Sequence, residues 1–242
     1  MDESSFRWRL ALLPLLLFVG CGPGLAQQVT VTGRVAWSGV RRGRKYDASQ
    51  VVVWLTPVGT SGESKQPPGP PPKLVQKNKS FSPHLLIVPV GSTVEFPNRD
   101  PFFHNVFSLF EGKRFDLGLY EAGSSRFVHF DKPGVSYIFC NIHAEMSAVV
   151  IALPTPYYGV SSQQGEIVIP NVPVGRYTLR VWYEAAPTAQ LESETREVSV
   201  VENASTLGVL RLSPATMPTA HPDKYGKEYE PPSPDNPAYT RP

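Results

Sequence analysis

The chain has 242 residues, including 26 prolines and 19 glycines, and its formal net charge is only +2. This balance, without a basic cluster among interleaved aromatic residues, argues against nucleic-acid binding, and the basic run 41–45 is interpreted as a solvated loop. Short runs of β-branched and aromatic residues are broken by Gly, Pro, Asn and Asp, which predicts an all-β fold.

The first 26 residues have the three parts of a secretory signal peptide. Arg7 and Arg9 precede an apolar run over 10–19, and small residues follow. The apolar run is too short to cross a bilayer comfortably, so no transmembrane span is expected in the mature chain. An alternative is an imperfect lipoprotein processing site, which would place a lipid anchor on Cys21. Both interpretations predict an exported protein of the periplasm or the cell envelope.

The remaining segments are distinguished by their strand patterns and turn residues. Residues 29–58 hold two strand candidates, 29–35 and 50–55, and the Pro- and Gly-rich stretch 57–72 is interpreted as a linker or long surface loop. Three further segments follow in chain order: a string of short strands over 73–153, a second all-β stretch over 155–212, and a Pro-rich tail over 213–242 that is expected to be disordered.

The chain has two cysteines, Cys21 and Cys140. If Cys21 is removed with the signal peptide or carries lipid, Cys140 has no intramolecular partner. An exported protein with one unpaired cysteine needs an explanation, because oxidising compartments favour disulfide pairing. Metal ligation would protect that thiolate.

Four residues form a pattern that is typical of mononuclear copper sites. Cys140, His143 and Met146 have the spacing C-x2-H-x2-M, and His104 lies 36 residues before Cys140. A thiolate and two imidazoles in a trigonal plane suit copper in both oxidation states, while a weak axial thioether tunes the potential. The sequence therefore predicts a blue-copper site with these four ligands.

Other interpretations of these residues stay open at this stage. Cys140 could be a buried apolar residue, His143 an ordinary loop residue and Met146 part of the core. Zinc is disfavoured because a thioether is a poor zinc ligand. The coincidence of all four residue types on a β-rich exported chain favours copper. Three other histidines are interpreted as non-ligands: His84, His129 and His221.

The segments around these ligands resemble those of a known family. The matching pieces are Phe81-Ser82-Pro83, Val90-Gly91-Ser92-Thr93-Val94-Glu95-Phe96-Pro97-Asn98, Phe103-His104-Asn105-Val106 and Tyr137-Ile138-Phe139-Cys140-Asn141-Ile142-His143. On these residues, 73–153 resembles a cupredoxin, the family of plastocyanin and amicyanin. The resemblance implies a Greek-key β-sandwich, a type 1 copper centre and electron carriage. It also implies a hydrogen bond from the backbone of Asn105 to the Cys140 sulfur.

A second resemblance concerns the segments on either side of the cupredoxin-like one. Gly165-Glu166-Ile167 and the run 171–179 are similar to a carboxypeptidase regulatory-like, or Cna-B-like, sandwich, whose opening strands resemble 31–35 and 51–55. We therefore expect a second small sandwich, formed by 29–58 with 155–212 and divided by an inserted cupredoxin. The alternative is that 29–56 adds strands to the cupredoxin.

Electron transfer with an unidentified redox partner protein is the function that this ligand set predicts. Copper storage or delivery, and a structural envelope module with a non-redox metal site, are the alternatives. No triad or carboxylate pair supports enzyme chemistry, so the protein is not expected to be an enzyme. Electrons are expected to pass through His143, framed by four residues in a small docking patch: Phe102, Phe103, Ile142 and Ala144.

Overall fold

The computed structural model describes residues 27–38, 47–59, 69–109, 112–203, 205–213, 215 and 220–229. The expected signal peptide and the basic run 41–45 lie outside these ranges. The described part is almost entirely β-structure. Its strands are β1 Gln28–Trp37, β2 Val52–Pro57, β3 Val75–Gln76, β4 Phe81–Ser82, β5 Leu85–Pro89, β6 Ser92–Pro97, β7 His104–Ser108, β8 Phe115–Tyr120, β9 Ser125–Phe130, β10 Gly134–Cys140, β11 His143–Leu153, β12 Tyr158–Val160, β13 Glu166–Pro173, β14 Gly175–Trp182, β15 Arg196–Val200 and β16 Thr206–Leu212, and one short helix, α1, spans Thr188–Ser193.

The middle of the chain forms a five-stranded sheet in the order β5-β11-β10-β7-β8, with the strand pairs β6-β9 and β3-β4 beside it. Alternation in β10 shows how the sheet acquires two different faces. Ile138 and Cys140 are buried in a core with residues of β6, β7 and β9, whereas Tyr137 and Phe139 are only partly buried on the other face. One face of this sheet is therefore the core face, and Cys140 belongs to it.

The flanking segments form two further sheets with a core of their own. Their strand orders are β13-β1-β16 and β12-β2-β14-β15. β1 pairs antiparallel with β13 and parallel with β16, and β2 pairs antiparallel with both β12 and β14. Among the described strands, no pairing joins β1 or β2 to a strand between β3 and β11. The shared core of these two sheets includes Val53, Leu55, Ile167 and Leu179.

The two groups of sheets pack against each other through an apolar cluster. Val149, Ile151 and Leu153 of β11 are buried against Val52 of β2 and Trp182 of β14. Burial of this surface would stabilise the contact, since each fully buried aliphatic side chain contributes about 1.5–3 kcal/mol. The outer face of the five-stranded sheet is therefore covered near the C-terminal end of β11.

Of the tail over 213–242, for which disorder is expected, only residues 213, 215 and 220–229 lie in the described ranges. Residues 220–229 lie against the connection between β10 and β11 and the start of β11, where the backbone N–H of His221 donates to the Ala144 carbonyl at 3.1 Å. These contacts are made by single residues in a turn, so they leave no periodic pattern in the sequence.

As for membrane-spanning elements, no helix in the described ranges is long and apolar enough to cross a bilayer.

Candidate metal centre

Three of the predicted ligands meet between the ends of three strands. His104 begins β7, Cys140 ends β10 and His143 begins β11. The Cys140 Sγ lies 3.5 Å from the Nδ1 of His104 and 3.4 Å from the Nδ1 of His143. The three potential ligand atoms lie within 4.8 Å of one another. One sulfur and two imidazole nitrogens therefore converge on a single point.

The short connection between β10 and β11 fixes this convergence. The register between the two strands shifts after Phe139, so that Cys140 pairs with His143 across the turn. The backbone N–H of Asn141 donates to the Asn105 carbonyl at 2.8 Å, which ties the connection to β7. The connection between β10 and β11 is called the metal loop below. It is held on two sides by backbone pairing.

Met146 lies on the core side of β11, three residues after His143. It is completely buried and belongs to the same apolar cluster as Cys140. A thioether in the core beside a thiolate and two imidazoles fits the axial position of a type 1 copper site. The four-residue cluster is thus consistent with that kind of centre.

His104 is oriented by a buried carboxylate that the sequence analysis did not single out. Its Nε2–H donates to Asp100 Oδ2 at 2.9 Å, because an ionised carboxylate only accepts. Nδ1 of His104 is then left without a proton on the side facing Cys140. Metal-binding histidines are commonly held by such an outer carboxylate, which selects the tautomer. A signal was present in the sequence, since Asp100 precedes His104 by four residues.

Asp100 is itself held in its ionised form by backbone donors. Burial alone would raise the pKa of its carboxyl group, but the N–H groups of Lys79 and Asn78 and the bond to His104 together hold that pKa below its usual range. The N–H groups of Asn78 and Lys79 donate to the two carboxylate oxygens at 2.6 and 3.0 Å. The site therefore contains a fixed negative charge behind one imidazole.

Burial keeps both histidines in the neutral form that can bind a metal. It lowers the pKa of His143 to about 4, with a further contribution from nearby His104, and it also lowers the pKa of His104 itself. Burial raises the pKa of the Cys140 thiol, an effect that backbone N–H groups oppose. A bound cation would deprotonate a coordinating thiol.

Backbone N–H groups of the loop and of β7 favour the thiolate form of Cys140. Against the larger effect of burial, those of Ile142, Asn105 and His143 lower the pKa of its thiol. The hydrogen bond from the Asn105 backbone to this sulfur, implied by the cupredoxin resemblance, stays a prediction. These donors stabilise negative charge on sulfur, so the pocket fits a thiolate ligand.

The surroundings of His143 combine aromatic rings and partial exposure. The centroid of the Phe102 ring lies 5.7 Å from that of His143 and 5.3 Å from that of His104. Phe103 is 55% exposed, and His143, Ile142 and Ala144 are half-buried, whereas His104 and Cys140 are fully buried. Of the three ligands, His143 is therefore the one that reaches the surface.

The histidines interpreted as non-ligands lie outside the cluster. Nε2 of His84 contacts Glu184 at 2.6 Å, and Nδ1 of His129 contacts the Thr93 hydroxyl at 3.2 Å. The ring of His221 packs against that of Phe139 in a tilted arrangement, with 4.3 Å between centroids.

Comparison with known proteins gives similarity to solved structures only. No protein-family model and no curated protein matches the chain. A purple cupredoxin from Nitrosopumilus maritimus is 24% identical with a TM-score of 0.31, covering 34% of this chain and 99% of that one. A reduced amicyanin variant is 21% identical with a TM-score of 0.32, covering 34% and 82%.

A copper-containing nitrite reductase from Thermus scotoductus SA-01 is 27% identical with a TM-score of 0.34. The match covers 40% of this chain and only 25% of that enzyme. Each of these similarities covers less than half of the chain.

Proposed function

We propose that the protein is a type 1 copper protein that transfers electrons, with His104, Cys140, His143 and Met146 as ligands. The observation that carries this proposal is the convergence of the Cys140 sulfur with the Nδ1 atoms of His104 and His143. Copper bound there would supply a one-electron redox couple that a thiolate and imidazoles can accommodate in both oxidation states.

The protein residues would contribute a rigid, mostly dry environment. His104 and Cys140 are fully buried, and Asp100 holds the His104 ring from behind. Little rearrangement is then needed when the charge on the site changes, because the ligands are already held by strand pairing and hydrogen bonds. This favours electron transfer over storage or delivery, which requires ligands that release the metal.

Electrons are proposed to enter and leave through His143, for a redox partner that docks on the surrounding apolar residues. Phe103 supplies the exposed part of that surface, and Phe102 packs against the His143 ring. Small apolar patches of this kind suit weak, short-lived encounters. We propose a protein as the partner, because an exposed apolar patch suits docking of another protein surface.

Several finer assignments belong to the same proposal. We interpret the middle segment as a Greek-key cupredoxin sandwich and the flanking sheets as a carboxypeptidase regulatory-like module. The protein is proposed to be exported to the periplasm or cell envelope, with a lipid anchor at Cys21 as the alternative to signal cleavage. It is not proposed to be an enzyme.

The test is the spectroscopy of the purified, copper-loaded chain. We expect one copper per chain and intense visible colour in the oxidised form, because a thiolate–copper bond gives a charge-transfer band. The colour should vanish in Cys140→Ser and persist in the control His129→Gln, whose ring is exposed and outside the cluster. A colourless wild type at full copper occupancy would refute the proposal, and preferential retention of zinc would favour the structural alternative.

A further inference from the structure

The C-terminal segment makes a series of contacts with the metal loop that its composition does not predict. Residues 221–229 are called the C-terminal clasp below. The phenol of Tyr229 donates to the Cys140 carbonyl at 2.8 Å, and the N–H of Lys224 donates to the Asn141 side chain at 2.9 Å. The N–H of His221 donates to the Ala144 carbonyl. Residues at both ends of the metal loop and within it are thus bonded to the clasp.

The clasp has a defined shape and an attachment beyond the loop. Asp223 closes a turn by accepting hydrogen bonds from the N–H groups of Tyr225 and Lys227 at 2.9 and 2.8 Å. The ammonium group of Lys224 reaches Asp116 at 2.7 Å, and the same carboxylate group accepts a bond from the Asn105 side chain. The clasp is therefore connected to β7 and β8 as well as to the metal loop.

Aromatic packing places the clasp on the outer face of the five-stranded sheet. The His221 ring packs against the Phe139 ring in a tilted arrangement. The Tyr229 ring contacts the His221 ring edge-on, with 5.6 Å between centroids. Phe139 immediately precedes Cys140 and points away from the core. The clasp thus covers the back of the strand that carries the thiolate.

We propose that the C-terminal clasp positions the metal loop, with Tyr229 as the positioning residue for Cys140. This rests on the proposed function, because it assigns the clasp to the site that would bind copper. The Tyr229 hydroxyl fixes the peptide carbonyl of Cys140 at the end of β10, and Lys224 fixes the next side chain. The metal loop is then held in its binding geometry by bonds from outside the cupredoxin-like segment, so release of the clasp loosens the ligands.

The test compares Tyr229→Phe with the matched control Tyr225→Phe in the full chain. Tyr225 lies in the same segment but is 74% exposed, so loss of its hydroxyl should change copper release less than twofold. Loss of the Tyr229 hydrogen bond, worth about 1 kcal/mol, should speed copper release to a chelator by about fivefold. A chain ending at Ser213 should release copper faster still.

A second measurement needs no metal. In the copper-free full chain, hydrogen–deuterium exchange at the N–H groups of Asn141 and His143 should be faster in Tyr229→Phe than in Tyr225→Phe. Unchanged exchange and unchanged copper release in Tyr229→Phe would overturn the proposal even if the protein is blue. If the wild type is colourless, the proposed function fails, whereas the exchange measurement still decides whether the clasp positions the loop.

Discussion

Replacing Asp100 with Asn would remove one buried negative charge that is hydrogen-bonded to the His104 ring. The oxidised form of a copper centre carries one more positive charge than the reduced form, so a nearby carboxylate stabilises the oxidised form. Removing the charge should therefore raise the reduction potential.

The size of this effect follows from Coulomb's law. With the imidazole ring between them, the carboxylate and a metal at Nδ1 would be separated by roughly 6 to 7 Å, for which an effective dielectric constant of about 20 gives about 2.5 kcal/mol. For a one-electron couple, about 1.4 kcal/mol corresponds to 59 mV, so the potential should rise by roughly 100 mV. Protein-film voltammetry of the copper-loaded variants measures this shift directly.

The control for net charge is Asp131→Asn. The Asp131 side chain is 45% exposed and pairs with Lys113 at the surface, where solvent and salt screen its charge. Because its charge is screened, replacing Asp131 should change the reduction potential by less than about 20 mV. A potential that falls in Asp100→Asn, or stays within the range of the control while copper remains bound, would refute the assignment of Asp100 as the group that orients and tunes His104.

Three further predictions concern the axial residue, the flanking sheets and the contact between the two groups of sheets. Met146→Leu should keep copper but raise the potential, because the thioether only tunes the site; equal loss of copper in Met146→Leu and in a thiolate-deleted variant would contradict this. Deleting 73–153 with a short Gly/Ser bridge should leave a folded β domain by proton NMR, although association at high concentration is expected from its newly exposed apolar face; an unfolded chain would show that the flanking strands depend on the insert. The hydrogen bond with Glu184 raises the pKa of His84 despite partial burial. The protonated pair should therefore stabilise the fold fully below about pH 6.5, and this stabilisation should be lost as the pH rises through the folded-state pKa of His84. Because the ring is 40% exposed, the unfolding free energy of His84→Gln should differ from wild type by no more than about 1 kcal/mol at acidic pH, and the difference should shrink by about pH 9.

The four candidate ligands could be predicted from the sequence because their residue types and spacing are typical of a copper site. The thiolate, imidazole and thioether of C-x2-H-x2-M are close together in the sequence, so their proximity depends on few torsion angles. His104 is far away in the chain, and its approach depends on β7 pairing with β10. The cupredoxin resemblance implied a Greek-key sandwich, but the sequence pattern predicted no specific pairing between these two strands.

Other parts of the site depend on contacts between elements that no local pattern reveals. Asp100 is part of a loop whose carboxylate could have pointed to solvent, but the backbone N–H groups of Asn78 and Lys79 fix it behind His104. The clasp was predicted to be disordered because its Pro-rich sequence has no apolar period. Its contacts with the metal loop are individual hydrogen bonds, such as that of Tyr229 to the Cys140 carbonyl, which the periodicity of a sequence does not indicate.

Strand β11 carries both a candidate ligand and the contact with the flanking sheets. His143 is its first residue, whereas the residues packed against β2 and β14 are Val149, Ile151 and Leu153 near its other end. At about 3.3 Å per residue, these contacts lie roughly 20 to 33 Å along the strand from His143. The flanking sheets therefore contact the five-stranded sheet near the end of β11 that is far from His143. The clasp covers the back of the metal loop, and the half-buried His143 lies outside both contacts, which agrees with the proposal that a partner approaches there.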